Sequence, residues 1–301
     1  MLLGRLERNS VPFSFLASQT SYEEARYVVV GVPYDGTSSW APGSRFGPLA
    51  IIDASRYMDP FDLDLGCTPL EAGIHTVPEI SVLELAPTDM VGIVGEIARE
   101  VRDDGKIPVL LGGEHTISLG GISGLRDHVD VLIVLDAHAD LYDEFEGRKV
   151  CHATVARRAS EIVDEVVICG VRTMGWEEQE ELSKVGNVTL IRAPVKEALG
   201  EISRKVRGRR AYLSLDVDVL DPPQVPCVGT PEPGGLDYSE VLILIKEIMR
   251  EGNVVAMDFV EFSPCPGMRS DAYLVAKLVY KAIGYHISYS GEDDLGCHPD
   301  E

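Results

Sequence analysis

Basic residues are scarce in this chain: 27 lysines and arginines stand against 49 aspartates and glutamates, a formal net charge of −22. Binding to nucleic acid needs concentrated positive charge, so that class of partner is excluded first. A surface this acidic favours solubility and attracts small cations. Long apolar runs are also missing. None reaches the ~18 residues of a membrane span, and the N-terminus has no apolar segment of the signal-peptide kind, so a cytoplasmic protein without a membrane partner is expected. Six cysteines are scattered with no Cys-x-x-Cys pair, which reads as mostly reduced thiols. Linkers, low-complexity tracts and repeats are absent. Residues 1–301 are therefore expected to form one domain, and 45% hydrophobic content is enough for a sizeable core. The acidic segment 291–301 reads as a frayed tail in which Cys297 and His298 are poor metal candidates.

What the chain does have is a set of metal-binding side chains placed after buried strands. Asp136-Ala137-His138-Ala139-Asp140 follows the apolar run Val131–Leu135, and Asp216-Val217-Asp218 follows Ala211–Leu215. On an extended backbone, side chains two apart share a face, so each cluster is expected to converge on one point. A third apolar run, Ile107–Leu111, leads into Gly112-Gly113-Glu114-His115, where paired glycines allow a tight turn. Ligands of open α/β sheets bind beyond the carboxyl ends of the strands. The candidate ligands are thus His115, Asp136, His138, Asp140, Asp216 and Asp218. Six side chains exceed what one zinc accepts but fit two divalent cations sharing carboxylates. Oxygen-rich sites with some imidazole suit Mn²⁺. A single Asp-x-His or Asp-x-Asp is ordinarily a turn or cap. Three such clusters are not, since carboxylates brought together repel without cations.

The periodicity alternates strands and helices. Strands are expected at 27–32, 107–111, 131–135, 165–169, 188–191, 211–215 and 254–259, with one or two more between 62 and 80. Helices are expected at about 47–57, 88–103, 117–126, 152–162, 175–185, 195–206, 238–251 and 269–285. Such alternation implies a mostly parallel sheet with helices on both faces. The glycine- and proline-rich stretch 221–236 is long for a loop and begins beside Asp218, as a functional wall would.

Gly-Gly-Glu-His, Asp-Ala-His-Ala-Asp and Ser214-Leu-Asp-Val-Asp-Val-Leu-Asp-Pro222, in this order and spacing, closely resemble the ureohydrolases, the arginase and agmatinase superfamily. The likeness runs from Gly31-Val-Pro-Tyr-Asp-Gly36 and Pro42-Gly-Ser-Arg-Phe-Gly-Pro48 through Cys151-His152-Ala153-Thr154 to Val260-Glu261-Phe262-Ser263-Pro264. The resemblance implies a three-layer α/β/α sandwich around a parallel sheet of about eight strands, two Mn²⁺ per chain and a homo-oligomer, trimer or hexamer. It implies that Asp136 and Asp216 bridge the metals. His115 and Asp140 would complete one shell, His138 and Asp218 the other. It further implies that Asp140 orients the attacking water and that His152 carries a proton to the leaving amine. Independently, Glu261 follows an apolar strand and can pair with a guanidinium in bidentate fashion. Glu114 reads as supporting its neighbours rather than ligating, and Cys151 has no mechanistic role.

The substrate class implied is a small cationic guanidino compound. The segment Leu141-Tyr142-Asp143-Glu144-Phe145-Glu146 resembles agmatinases, and its three carboxylates are expected to repel an α-carboxylate. Agmatine, giving putrescine and urea in polyamine biosynthesis, is favoured. N1-aminopropylagmatine, arginine, guanidinobutyrate and formiminoglutamate are the alternatives within the superfamily. Outside it stand a dinuclear phosphoesterase, which would want basic residues around phosphate, and a metal-binding pseudoenzyme.

Overall fold

The computed structural model describes residues 11–192, 195–291 and 295–298. Eight strands form one sheet: β1 (Tyr27–Val32), β2 (Ile74–Thr76), β3 (Ile107–Gly112), β4 (Val131–Leu135), β5 (Glu165–Cys169), β6 (Val188–Ile191), β7 (Arg210–Asp216) and β8 (Asn253–Val260). Every pairing is parallel, and the order is β2-β1-β3-β8-β7-β4-β5-β6. Among the described residues eight α-helices cover it: α1 (Gly47–Ser55), α2 (Pro87–Asp103), α3 (Thr116–Gly124), α4 (Val155–Ala159), α5 (Trp176–Lys184), α6 (Val195–Val206), α7 (Tyr238–Glu251) and α8 (Ser270–Tyr289). No helix among the described residues is long and apolar enough to cross a membrane.

The strands read as continuous apolar runs because both faces are covered. Tyr27, Val29, Val109, Leu111, Ile133 and Leu213 pack with α1, α6, α7 and α8 on one side. On the other, Val28, Val30 and Leu110 meet Met90 and Val94 of α2 and Ile117 of α3, while Leu132, Val134 and Val166 meet Leu119 of α3 and Ala156 of α4. Alternate residues of these strands thus feed different layers, and the three-layer expectation is met.

Three expectations need correction. The helix expected over 152–162 is a 3₁₀ turn, His152–Thr154, followed by a short helix ending at Ala159. The cysteines are mostly paired, not reduced: Cys67 bonds Cys297 and Cys227 bonds Cys265, while Cys151 and Cys169 are free and buried. Partners 230 and 38 residues apart leave no trace in local spacing. The tail, in turn, is docked where it is described. Cys297 is fully buried, and the His298 amide donates to Leu65 O at 3.0 Å. Residues 292–294 and 299–301 lie outside the described residues.

Candidate metal centre and active-site cleft

The strand order explains why distant motifs meet. Strands β3, β8, β7 and β4 are neighbours, so their carboxyl ends set His115, Glu261, Asp216 with Asp218, and the 136–140 segment side by side. All eight sequence-derived site residues, His152 included, gather at this rim. Around them is a cleft of about 210 Å³, small beside the ~300–1,000 Å³ of sites for drug-sized ligands.

Local turns, not strand alternation, aim the carboxylates. β4 ends at Leu135, and beyond it Asp136 Oδ1 accepts the His138 amide at 2.6 Å while Asp140 adopts a φ of 49°. Beyond β7, Val217–Val219 is a 3₁₀ turn capped by Asp216 Oδ1, which accepts the Asp218 amide at 2.9 Å. Asp218 Oδ1 then accepts the Ala137 amide at 3.1 Å and ties the two turns together. The expected convergence occurs, but the extended backbone expected to produce it does not. Glu261 also has positive φ, 64°. Such backbone is costly for non-glycine residues and collects at functional sites. At Gly113 a side chain is impossible, since a Cβ there would lie 1.9 Å from Tyr34 O.

Two ligand groups result, each with donor atoms inside 4.8 Å of one another: His115, Asp136 and Asp140, and Asp136, His138 and Asp218. They share Asp136. Asp216 belongs to neither by this distance, yet its Oδ2 lies 3.4 Å from His115 Nδ1. His115 supplies the decisive detail. Its Nε2 lies 3.0 Å from Ser214 Oγ, whose single hydrogen goes to the buried Asp258 at 2.6 Å. Ser214 can therefore only accept, so Nε2 carries the hydrogen. In the neutral ring that leaves Nδ1 as a buried lone pair without a hydrogen-bond partner, facing Asp136 Oδ2 at 3.1 Å and Asp140 Oδ2 at 3.0 Å. A lone pair aimed at carboxylates suits a shared cation, and an imidazole fixed through its other nitrogen is the usual arrangement around a metal ligand. The residues present fit divalent metal.

Charge in the cleft tells the same story. Burial, then neighbouring Asp136, push Asp140 up to about 7. Burial, then Glu114, push Glu261 up to about 8, and burial with Asp218 and Asp136 pushes Asp216 well above the carboxylate range. Burial works to lower His138, but Asp218 and Asp136 prevail and raise it to about 12. His152 goes the other way: burial, the largest cause, pushes it down to about 4, so it is neutral at pH 7. Glu261 lines the cleft, with Oε1 accepting the His115 amide at 2.7 Å.

The motif residues that do not ligate build the walls. Asp35 is buried against Arg45 and accepts the Gly43 amide at 3.0 Å, which braces the loop carrying Ser38, Ser39 and Trp40. Arg172 donates to Asp218 O at 2.6 Å and Glu232 O at 2.8 Å, which holds the 221–236 loop where Gly229 and Thr230 line the cleft, as its length suggested. Glu178 was missed by sequence reasoning. It accepts the amides of Leu141 at 2.9 Å and Gly175 at 2.7 Å, stitching two wall segments together. Its only sequence signal is a helix-start glutamate. The carboxylates of Asp143, Glu144 and Glu146 do not line the cleft. Asp143 binds Arg158 and lies 3.7 Å from Arg157, Glu146 lies 3.6 Å from Arg148, and the neighbouring rings of Tyr142 and Phe145 face inward instead.

Residues 25–284 match the model of the arginase family. This chain belongs to the arginase family. It is 39% identical over 275 residues to N(1)-aminopropylagmatine ureohydrolase of Thermus thermophilus, covering 90% of this chain and 93% of that one. It is 33% identical over 255 residues to agmatinase of Bacillus subtilis, covering 83% and 88%. The crystal structure of agmatine ureohydrolase of Thermoplasma volcanium superposes with a TM-score of 0.88 at 33% identity, covering 96% of this chain and 99% of that one.

Proposed function

We propose that this arginase-family chain hydrolyses the guanidino group of a small linear cation to urea and an amine. The observation that carries the reading is the pair of ligand groups joined at Asp136 on the floor of the cleft that Glu261 also lines. Asp136 and Asp216 would bridge two divalent cations. His115 and Asp140 would complete one shell, His138 and Asp218 the other. Oxygen ligands with one imidazole per metal suit Mn²⁺. When bound, such a cation pair supplies a water acidic enough to be a nucleophile at neutral pH.

The side chains then have distinct tasks. Glu261, buried and ionised against the arriving cation, seats the guanidinium so that its carbon faces the ligand floor, and positioning of this kind provides much of an enzyme's rate. Asp140 accepts a hydrogen bond from the attacking water and orients it. Water adds to the guanidinium carbon, the bond from that carbon to the substituted nitrogen breaks, and urea leaves with the amine. The departing nitrogen needs a proton, which neutral His152 relays from the attacking water.

The substrate we favour is agmatine, giving putrescine. None of the described residues lining the cleft is lysine or arginine, so the α-carboxylate of arginine would enter without a partner. That replaces repulsion by Asp143, Glu144 and Glu146 as the reason for selectivity. A second reading, N1-aminopropylagmatine, is favoured by the 39% identity to an enzyme of that name. Urea release across agmatine, aminopropylagmatine, arginine and guanidinobutyrate tests both. Agmatine or its aminopropyl derivative should exceed arginine in kcat/KM by at least ~10²-fold. Arginine at parity would sink the substrate reading, and no urea from any of the four would sink the reaction.

A further inference from the structure

Thr37 joins two motif residues that the reaction as described treats separately. Its hydroxyl donates to Glu114 Oε1 and also lies 3.1 Å from the backbone nitrogen of His152 and 3.2 Å from His152 Nδ1. Glu114 has no exposed surface and lies under several donors. Besides the Thr37 hydroxyl, it accepts the Thr37 amide at 2.7 Å, the Thr116 hydroxyl and, at 3.5 Å, the Ser38 hydroxyl. A threonine hydroxyl has one hydrogen and this one is committed to Glu114, so towards His152 it can only accept. His152 Nδ1 must then carry the ring hydrogen. In a neutral imidazole that leaves the lone pair on Nε2, which lies 3.4 Å from Ser39 Oγ on the cleft wall. Phe145 closes the ring from the side, edge-on at 5.8 Å between centroids.

We propose that Thr37, backed by Glu114, is a positioning residue that fixes the tautomer and direction of His152 for proton transfer in the cleft. The inference rests on the reading of His152 as the proton carrier. Ser214 and Asp258 do the same for His115: a hydroxyl bound to a buried acid accepts from the ring nitrogen that faces away from the work. The parallel gives Glu114 a task that ligation does not. It holds the Thr37 hydrogen, and Thr37 receives both the backbone and the ring of His152. Fixing one imidazole nitrogen is how the chemistry of the other is set.

The experiment compares Thr37→Val, Thr37→Ser and His152→Asn, alone and as the Thr37→Val/His152→Asn double variant, on metal-saturated full-length protein. Thr37→Val should lower kcat by ~10–100-fold, the usual cost of losing an orienting partner. Metal content and KM should stay within about twofold, and Thr37→Ser should restore kcat to within about threefold. The double variant should be no slower than His152→Asn alone, because the hydroxyl acts through the ring. Imidazole ¹⁵N shifts of the wild type, loaded with a diamagnetic divalent ion in place of Mn²⁺, should show hydrogen on Nδ1 of His152. Losses that multiply in the double variant, or hydrogen on Nε2 in the wild type, overturn the proposal. If Thr37→Val fails to fold, the wild-type ¹⁵N spectrum and the Thr37→Ser rate still decide. Wild-type turnover in His152→Asn would instead remove the proton-carrier reading, leaving the tautomer result to judge the contact itself.

Discussion

The two ends of this sheet handle charge in opposite ways. At the amino end, acids meet bases. Glu165, opening β5, is bonded by Lys205 and by Arg209 at 2.6 Å, and Asp130, just before β4, is bonded by Arg210 and accepts that residue's amide at 2.9 Å. The Lys205 and Arg209 contacts hold Glu165 below the usual carboxylate range, and Arg210 does so for Asp130, each against some burial. Buried His286 is kept neutral there, accepting from the Tyr27 hydroxyl at 2.7 Å and donating to Val254 O at 2.9 Å. At the carboxyl end, Glu114, Asp136, Asp140, Asp216, Asp218 and Glu261 are buried, and among the described residues none forms an ion pair with lysine or arginine. The same strands whose acids meet bases at one end carry acids without lysine or arginine partners at the other. Stability alone would not arrange this, because buried like charges oppose folding. The carboxyl rim is built for cations that arrive from outside the chain.

The largest expected effect is at that rim. Asp218→Ala removes a ligand and the bond to the Ala137 amide, so turnover should fall by more than the ~10²-fold that a merely supporting residue costs. Metal content by elemental analysis should drop, while circular dichroism remains that of the folded chain. Intact metal content and turnover in this variant would break the contrast between the two ends.

At the amino rim the expected consequence is acid lability. Burial, set against the contact to Val254 O, lowers His286 from 6.5 to about 4. Between those values the unfolded chain holds the extra proton, so stability falls as pH drops. The contribution is complete above about 6.5 and gone by about 4, a range worth on the order of 3 kcal/mol. Urea denaturation of metal-free protein at pH 7 and pH 5 should show the decline, and His286→Gln should flatten it. An equal slope in the variant would remove His286 as the cause.

The two ends should also answer oppositely to neutralising a single acid. In metal-free protein at pH 7, Asp216→Asn relieves a buried, repelled carboxylate whose titration is shifted upward, and should stabilise by on the order of 1–3 kcal/mol. Glu165→Gln loses two cationic partners at a partly exposed site and should destabilise by about 1 kcal/mol or less. Its effect should vanish as acid protonates Glu165. Melting temperatures that move in the same direction for both variants would show that the rims do not differ as described.

Much of this was legible in the sequence because buried parallel strands announce themselves. The spans 27–32, 131–135, 165–169 and 188–191 read as apolar blocks and are strands at those residues. The ligands were legible because they follow such blocks directly. The reason for their convergence was not. Asp136 and Asp216 act as caps for their own turns, and strand periodicity carries no such information. The acidic run 143–146 misled for a related reason: composition counts carboxylates, whereas their direction depends on Arg157 and Arg158, 15 residues beyond Asp143 in the case of Arg158. Thr37 and Glu178 escaped notice because hydroxyl and cap residues are common everywhere, and only the fold shows which of them touches His152 or the Asp140 segment. The disulfides were invisible because their partners are remote in sequence.

The most direct test of the central claim is a metal titration of stripped protein with urea release from agmatine and aminopropylagmatine read at each step. Two Mn²⁺ per chain should bind tightly. Urea formation should stay low through the first equivalent and reach its plateau at the second. Full activity with a single ion per chain, or two bound ions with no urea from either substrate, would contradict the account.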